Sequence, residues 1–342
     1  MASAHNILGI TYFQKNQYEK ALECFQGALK TALAINNKEE IANLMKKIGL
    51  IYVSTGDYRK AMIYFQQTLN LFQKLGFVDK QAELFTSIGE IYYYWGDFQK
   101  SVENFEKASN IFEQIDNKTS LALAFIKLGE AFNALKQNEK ALEYYNKALI
   151  IYNKTSNPLE KNLVLNKIGK TYENLGNADL ALEYFTKSLQ NVKLSGDAIQ
   201  LSEALKNIGD VYKAKNNLSQ ASAYYAKSLR IADSLDLKIL KMNDYKALYE
   251  INYIQNNSKK ALLYYQNFVT MRDSIFSLPE IQSASRSSKL ILDGFPDKTI
   301  LDKDREIFKL KKQRLWMSSL LLISFFCTIV LFLLFIRKNK MH

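Results

Sequence analysis

Cysteine, histidine and proline are all scarce in this sequence of 342 residues, and each shortage argues against a class of protein. The two cysteines, Cys24 and Cys327, have no partner at metal-binding spacing, which argues against a zinc site or a disulfide framework. The two histidines, His5 and His342, lie at opposite ends of the chain, so no histidine-based catalytic pair is expected. With only three prolines, the chain is expected to be nearly all helical.

Strand-like alternation and glycine-rich phosphate loops are also absent from the sequence. The acidic residues are scattered at helix-surface spacing. Glu90 and Glu130 occupy equivalent places forty residues apart and could lie near each other, but paired carboxylates alone are a weak sign of acid–base chemistry. The sequence therefore predicts no enzyme, no catalytic residue, no metal ligand and no cofactor.

Glycine occurs only 13 times, and six of these glycines mark an internal repeat. They recur at intervals of forty residues, at Gly9, Gly49, Gly89, Gly129, Gly169 and Gly209. A small residue follows each glycine by twelve positions, at Ala21, Ala61, Ser101, Ala141, Ala181 and Ala221. An aromatic residue stands four positions later, at Phe25, Phe65, Phe105, Tyr145, Phe185 and Tyr225. A seventh copy keeps Ala261 and Tyr265 but has Tyr249 in place of the glycine. A period of this length predicts a stacked array of helices.

Each copy of the repeat is expected to form two helices joined by a tight turn. In the second copy, apolar residues recur at helical spacing over residues 41–52 and again over residues 58–75. Between them, Gly56 can take the left-handed conformation that ends a helix, and Asp57 can cap the next helix. Ser258 is predicted to cap the second helix of the seventh copy. Left-handed residues are predicted in the other copies at Asn16, Gly96, Asn138, Gly176, Asn216 and Asn256.

The small residues of the repeat suggest how its two helices lie close together. Gly49 has no side chain and Ala61 a short one, so the second helix can approach the first, and the Phe65 ring fills the space between them. Burying such a ring contributes about 1.5–3 kcal/mol. Tyr249 should therefore push apart, or reorient, the helices of the seventh copy. Because two short helices cannot cover their own apolar faces, neighbouring pairs must stack.

The spacing of small residue, aromatic, alanine and second aromatic resembles the tetratricopeptide repeat over residues 1–277. The resemblance implies an all-α, right-handed superhelix (an α-solenoid) of about seven helix pairs, whose first helices line a concave groove that binds a protein or peptide. The unit has forty residues here, against the usual length of about 34. In this longer form it is similar to arrays of the maltose-regulator and Rap-like type. It is also similar to the sensor regions of Bacteroidetes-type membrane histidine kinases and LuxR-type regulators.

Candidate groove residues lie three before, one after and four after each glycine. They are Asn6, Ile10, Phe13, Lys46, Leu50, Val53, Thr86, Glu90, Tyr93, Ile126, Glu130, Asn133, Asn166, Lys170, Glu173, Lys206, Asp210 and Lys213. The first half of the set is apolar and aromatic and the second half is charged, which predicts a partner helix or extended peptide with one apolar and one charged end. The alternative is an inner face that is only solvated. Ile10 and Leu50 replace the asparagines with which some family members grip the terminal carboxylate of a peptide, so that specific activity is not expected.

The sequence changes character after the repeats. Residues 278–299 are predicted to be a linker. Residues 300–315 are predicted to be a charged juxtamembrane helix, whose apolar stripe of under three heptads could pair two copies as a homodimer. Residues 316–336 carry no charge over 21 positions, which is enough to cross about 30 Å of hydrocarbon, so a transmembrane helix is predicted there. Residues 337–342 form a basic tail.

The net charge of +12 does not indicate a nucleic-acid partner, because half of the excess lies in residues 297–342 and the repeats are only weakly basic. Seven Lys or Arg precede the predicted span and three follow it, which favours repeats inside the cell. The family resemblance favours the periplasm instead, for a chain whose N-terminal signal peptide is missing. The predicted function is a membrane-anchored interaction scaffold. The alternative is the sensory half of a truncated or split histidine kinase or LuxR-type regulator that lacks its output domain.

Overall fold

The computed structural model describes residues 2–155 and 157–275, and these two stretches contain fourteen α-helices. In chain order they are α1 (Ala2–Gln14), α2 (Tyr18–Ala34), α3 (Lys38–Ser54), α4 (Tyr58–Leu75), α5 (Val78–Trp95), α6 (Phe98–Gln114), α7 (Lys118–Ala134), α8 (Asn138–Thr155), α9 (Pro158–Asn174), α10 (Ala178–Ser195), α11 (Ala198–Ala214), α12 (Leu218–Ser234), α13 (Lys238–Ile254) and α14 (Ser258–Ile275). Both stretches belong to one compact unit, Met1–Ser287. Among the fourteen helices, none has the length and apolar character needed to cross a bilayer. The predicted linker, juxtamembrane helix, transmembrane helix and basic tail lie outside the described residues.

The fourteen helices form seven pairs, and each helix packs on the helices before and after it in the chain. The described stretches contain no strand. Apolar side chains of consecutive helices form the core between pairs; for example, Phe25 and Ala28 of α2 belong to one cluster with Leu44 and Ile48 of α3. The predicted all-α solenoid of about seven helix pairs is therefore confirmed, while its handedness remains a prediction.

The repeated glycine of each of the first six pairs lies against an aromatic ring of the second helix. A Cβ atom on Gly9 would lie 2.6 Å from the Phe25 ring, and one on Gly89 would lie 2.6 Å from the Phe105 ring. Real Cβ atoms essentially never come so close, so a side chain here would displace the ring or the helix. The rings are at most 2% exposed, in Phe25, Phe65, Phe105, Tyr145, Phe185 and Tyr225. The predicted role of the glycines is confirmed.

Left-handed residues end helices at both kinds of turn. Within pairs, φ lies between 56° and 80° at Asn16, Gly56, Gly96, Lys136, Gly176, Asn216 and Asn256. Between pairs, φ lies between 50° and 75° at Asn36, Gly76, Asp116, Gly196 and Asp236. The prediction of Asn138 in the fourth pair was wrong. Asn138 is already the first residue of α8, and Lys136, two residues earlier, takes the left-handed conformation at the position that continues the forty-residue register.

Side-chain caps begin several helices, as the sequence predicts for Asp57. Its carboxylate accepts a hydrogen bond from the backbone N–H of Lys60 at 3.2 Å. The Lys60 ammonium also donates to Asp57 and holds the pKa of that carboxyl below its usual value. In the seventh pair the predicted cap was wrong by one residue. Asn257, not Ser258, accepts from the N–H of Lys260, at 3.4 Å, because α14 already begins at Ser258.

The seventh pair departs from the others where Tyr249 replaces the glycine. The Tyr249 ring lies 5.2 Å from the ring of Tyr265, measured between centroids. Tyr265 is 40% exposed, although its counterparts in the other pairs are buried. The helices α13 and α14 still pack side by side. The predicted separation of these two helices is therefore wrong: Tyr249 instead leaves the Tyr265 ring at the surface, and a changed crossing of the helices remains a prediction.

Candidate functional site

The first helices of the seven pairs (α1, α3, α5, α7, α9, α11 and α13) share one surface, called here the A-helix face. Glu90 of α5 lies 2.9 Å from Lys127 of α7, and Glu130 of α7 lies 2.7 Å from Lys167 of α9. These ion pairs join first helices of consecutive pairs directly, so the first helices lie side by side. All eighteen predicted groove residues lie on them.

Lys127 lies between the two glutamates that the sequence predicts to be close. Its ammonium is 2.9 Å from Glu90 and 3.7 Å from Glu130. Burial lowers the pKa of Lys127, but the two carboxylates outweigh burial and raise that pKa overall, so the lysine stays charged. Glu90 and Glu130 are therefore neighbours that lysines neutralise. This arrangement suits a structural ion-pair network better than acid–base chemistry.

The other charged groove residues also pair within the protein. The lysines and their partners are Lys46 with Glu83, Lys170 with Glu173 at 2.8 Å, Lys206 with Asp210 at 2.7 Å, and Lys213 with Glu250. The predicted charged half of the groove thus consists of ion pairs within the protein. These pairs leave little unpaired charge with which a partner could interact. Across the described ranges, no group of three or more His, Cys, Asp or Glu is placed to hold a metal ion.

The apolar half of the predicted groove is only partly open to solvent. Ile10 is 37% exposed. Leu50 and Val53 are half-buried and pack against the core between the second and third pairs. The Tyr93 ring meets the Phe98 ring edge to face, with centroids 5.3 Å apart. These residues, together with half-buried Phe13 and Thr86, give the face a shallow apolar strip.

Several predicted groove residues are buried in the core or hydrogen bonded to other residues of the protein. Ile126 is 1% exposed and belongs to the core. Asn133 donates to the hydroxyl of Thr171 at 2.8 Å, across to the next pair. Asp210 accepts a hydrogen bond from the hydroxyl of Tyr225 at 2.6 Å, within its own pair. The remaining two, Asn6 and Asn166, are also hydrogen bonded, to Glu40 and Lys47 and to Ser188 respectively.

An aromatic cluster of Tyr58, Tyr94 and Trp95 lies at one edge of the apolar strip, and sequence reasoning missed it. The rings of Tyr58 and Tyr94 are stacked, with centroids 5.7 Å apart and planes 11° apart. Trp95 meets Tyr58 edge to face at 6.5 Å. Tyr94 is 40% exposed and Trp95 46%. The aromatic run 92–95 signals the cluster in the sequence, but the contribution of Tyr58 from the preceding pair does not show there.

A cavity of about 870 Å³, called here the A-face cavity, opens among the fifth, sixth and seventh pairs. Two predicted groove residues, Asn166 and Lys206, line it. Asn207 and Asn243 also line it, and they were missed because they lie two and six positions before the repeat glycine or its replacement. Leu163 and Ile239 supply apolar walls. The cavity combines amide groups with apolar side chains, as binding sites for extended peptides do.

The repeats match a known protein family. A family model described as tetratricopeptide repeat matches residues 1–74, 80–154 and 160–234. No match is found among curated proteins.

Solved structures of helical-repeat proteins are similar to the chain at low identity. The apo form of RapI matches with a TM-score of 0.62 and 16% identity, over 80% of this chain and 98% of that one. A Rap protein complexed with competence and sporulation factor matches with a TM-score of 0.53 and 15% identity, over 79% and 74%. A signal-transduction ATPase with a tetratricopeptide repeat sensor, from Pyrococcus horikoshii, matches with a TM-score of 0.56 and 16% identity, over 90% and 50%. At such identities the likeness concerns the fold alone.

Proposed function

The chain belongs to the tetratricopeptide repeat family, and from this premise we propose that it is an interaction scaffold that binds a protein or peptide along its A-helix face. A solenoid of this kind presents side chains from successive pairs on one continuous surface. A partner can therefore be held by many modest contacts spread over several pairs.

The A-face cavity is the observation that carries this proposal. Asn207 and Asn243 line it, and each amide can donate and accept hydrogen bonds, as the backbone of an extended peptide does. Asn166 also lines it; its amide oxygen accepts from Ser188, and its amide N–H groups can donate to a partner. Leu163 and Ile239 give a partner side chain an apolar wall. Of the charged residues in the lining, Lys206 pairs with Asp210 and Asp236 pairs with Lys241, whereas Glu203 and Lys238 have opposite charges. We therefore expect backbone and apolar contacts to select the segment more than its net charge does.

The aromatic cluster supports a second, apolar contact for the same partner. Tyr94 and Trp95 expose ring surface, and the Tyr94 ring lies 6.2 Å from the ring of Tyr93 of the predicted groove, measured between centroids. Exposed aromatic rings contribute large contact areas at low entropic cost, which is why Tyr and Trp are common binding anchors. A partner segment that reaches from the cluster to the A-face cavity would be polar at one end and apolar at the other.

Paired substitutions test the proposed face. We expect Asn207→Ala with Asn243→Ala to weaken partner capture about tenfold, because each lost hydrogen bond contributes about 0.5–1.5 kcal/mol. Leu50→Ala with Tyr93→Ala should weaken it similarly. The matched control is Ile63→Ala, which removes a side chain that is 54% exposed on α4, a second helix. Capture is measured by pull-down and helix content by circular dichroism. Equal capture by all variants would place the binding surface elsewhere.

Membrane anchoring by residues 316–336 is a further part of the proposed function, supported by the 21 uncharged residues there. The repeats would then lie in the cytoplasm, or in the periplasm if a signal peptide precedes them. Protease access to the repeats in intact cells separates these compartments. Recovery of the full chain in the soluble fraction after mild lysis would contradict the anchor.

A second candidate function is the input half of a split or truncated signalling protein, a histidine kinase or LuxR-type regulator. It is favoured by the likeness to the ATPase from Pyrococcus horikoshii, which carries its tetratricopeptide repeats as a sensor. The test is genomic: a kinase or DNA-binding reading frame directly downstream would support this role over that of a free scaffold, and unrelated neighbours would count against it.

A further inference from the structure

Asp244 of α13 is a fully buried carboxylic acid at a position that is apolar in the preceding pairs. The equivalent residues, at intervals of forty, are Leu44, Leu84, Ala124, Val164 and Ala204, all of them at most 1% exposed. Asp244 is 0% exposed. Neither of its carboxylate oxygens has a hydrogen-bond partner within the described part of the chain. Such a group costs free energy that an apolar residue would not.

The charged groups around Asp244 do not compensate for its burial. On α11, Lys206 and Asp210 pair with each other at 2.7 Å, so the lysine is already neutralised. On α12, the Tyr225 hydroxyl donates to Asp210. The Ser228 hydroxyl lies beside Asp244 and lowers the pKa of its carboxyl, but by less than burial raises it, because this hydroxyl is hydrogen bonded to that of Ser202 at 3.0 Å.

Further charged groups on α13 and α14 are engaged elsewhere, and one of them, Lys241, pairs with Asp233 and Asp236 at 3.2 Å. Glu250 of α13 pairs with Lys213. In the last turn of α14, Arg272 and Asp273 pair at 3.0 Å. Asp244 therefore lies in the contact between the sixth and seventh pairs with no cation of its own.

Burial raises the pKa of the Asp244 carboxyl to about 7, whereas an unfolded aspartate has a pKa of about 3.9. Between these two values the packed state keeps a proton that the open state releases. The contact is therefore most stable in acid, weakens as the pH rises from about 4 to about 7, and changes little above that range. One proton linked in this way changes the opening equilibrium about tenfold per pH unit.

We propose that Asp244 makes the docking of α13 and α14 onto the sixth pair sensitive to pH, so that the seventh pair is held tightly in acid and loosens towards neutrality. Among the described helices, the seventh pair packs on the sixth pair alone, so this contact can open without breaking those between earlier pairs. Asn243 and Lys206 line the A-face cavity, so the opening would also change that cavity, a consequence that rests on the proposed function.

Amide hydrogen exchange of the full chain in mild detergent, without any partner, tests the proposal. Protection factors, corrected for the intrinsic exchange rate at each pH, are compared from pH 5 to pH 8. We expect protection in α13 to fall about tenfold per unit up to about pH 7 and then to level off. Protection in α3, where Leu44 stands at the same position, should not follow this curve. A curve shared by α3 and α13 would overturn the proposal.

Three variants identify the group responsible. Asp244→Asn should flatten the pH dependence in α13, whereas Asp236→Asn, which changes an exposed aspartate of the preceding turn, should leave it intact. Asp244→Leu, which introduces the residue of α3 and α5, should raise protection in α13 at pH 7.5 and remove the pH dependence even if the asparagine variant folds poorly. Unchanged slopes in both Asp244 variants would refute the assignment. Because exchange needs no ligand, this result is independent of whether the A-helix face binds peptides.

Discussion

The sixth and seventh pairs carry a tyrosine at the same place in the second helix, yet the two rings have different surroundings. Tyr225 is 1% exposed, and its hydroxyl donates to Asp210 at 2.6 Å. Tyr265 is 40% exposed and tilts against Tyr249. The difference follows from one position, glycine in α11 and tyrosine in α13. The glycine provides the space in which an aromatic ring can be buried, and without it the pair persists with the ring outside.

The outer face of α14 differs from the other second helices in another way. Six second helices carry a small, fully buried residue three positions after the repeated aromatic: Ala28, Thr68, Ala108, Ala148, Ser188 and Ser228. In α14 this position is Phe268, which is only partly buried. The small residues allow the following first helix to approach, as Ala28 does with α3. The second helices α2, α4, α6, α8, α10 and α12 thus leave room for the first helix of the following pair, whereas α14 carries a large ring at this position.

The largest difference in stability between an interior pair and the seventh pair is expected when the repeated aromatic ring is removed. Phe65→Ala should lower the free energy of unfolding by about 3–5 kcal/mol, because the ring is fully buried and the cavity cannot close completely. Tyr265→Ala should cost less than about 1 kcal/mol, because its ring already contacts water. Urea unfolding followed by circular dichroism measures both. Similar losses would mean that exposure does not govern the contribution of this position.

A smaller difference is expected from adding a methyl group to two interior glycines. In Gly89→Ala the new Cβ would lie 2.6 Å from the Phe105 ring, and we expect a loss of about 1–3 kcal/mol from overpacking. In Gly209→Ala the distance to the Tyr225 ring is 3.1 Å, and a gain in helix propensity of about 1 kcal/mol can offset the crowding. Thermal unfolding compares the two variants. If Gly89→Ala were the more stable, close packing would not explain the glycine.

The smallest difference in stability is expected from substitutions at the N-terminal ends of α4 and α14. Asp57→Ala should destabilise α4 by about 1 kcal/mol, since the N–H of Lys60 loses its acceptor. Ser258→Ala should change stability by less than about 0.5 kcal/mol, because Asn257 caps α14. Local hydrogen exchange in the first turn of each helix is the measurement. Equal effects would show that Ser258 contributes a cap after all.

Contacts within one pair could be predicted from the sequence because they depend on local spacing. The repeated glycine and its aromatic ring, such as Gly89 and Phe105, lie sixteen residues apart in the first six copies, and Asp57 lies directly after the turn that precedes α4. The prediction of Asn138 was wrong because it rested on the tolerance of asparagine for positive φ, whereas the forty-residue register selects Lys136. At this turn, the forty-residue spacing of the repeat predicts the left-handed residue better than amino-acid preference does.

Contacts between pairs could not be predicted in this way, because they depend on how one pair sits on the next. Ile126 has the sequence position of a groove residue but is buried in the core. The Asn133 side chain donates a hydrogen bond to Thr171 of the following pair. The lysines that neutralise Glu90 and Glu130 come from the next first helix, 37 residues further along. Asp244 was detectable, since aligning the copies shows an acid in an apolar column.

The uniform length of the units has a consequence for how such a gene can change. Every described pair repeats after forty residues, and each joint between pairs is short and, where described, ends the preceding helix in a similar way. A deletion or duplication of forty codons would therefore remove or add one pair while preserving the flanking joints. Recombination between copies could lengthen or shorten the array without inventing a new structure, and the reach of its binding surface would change in steps of one pair.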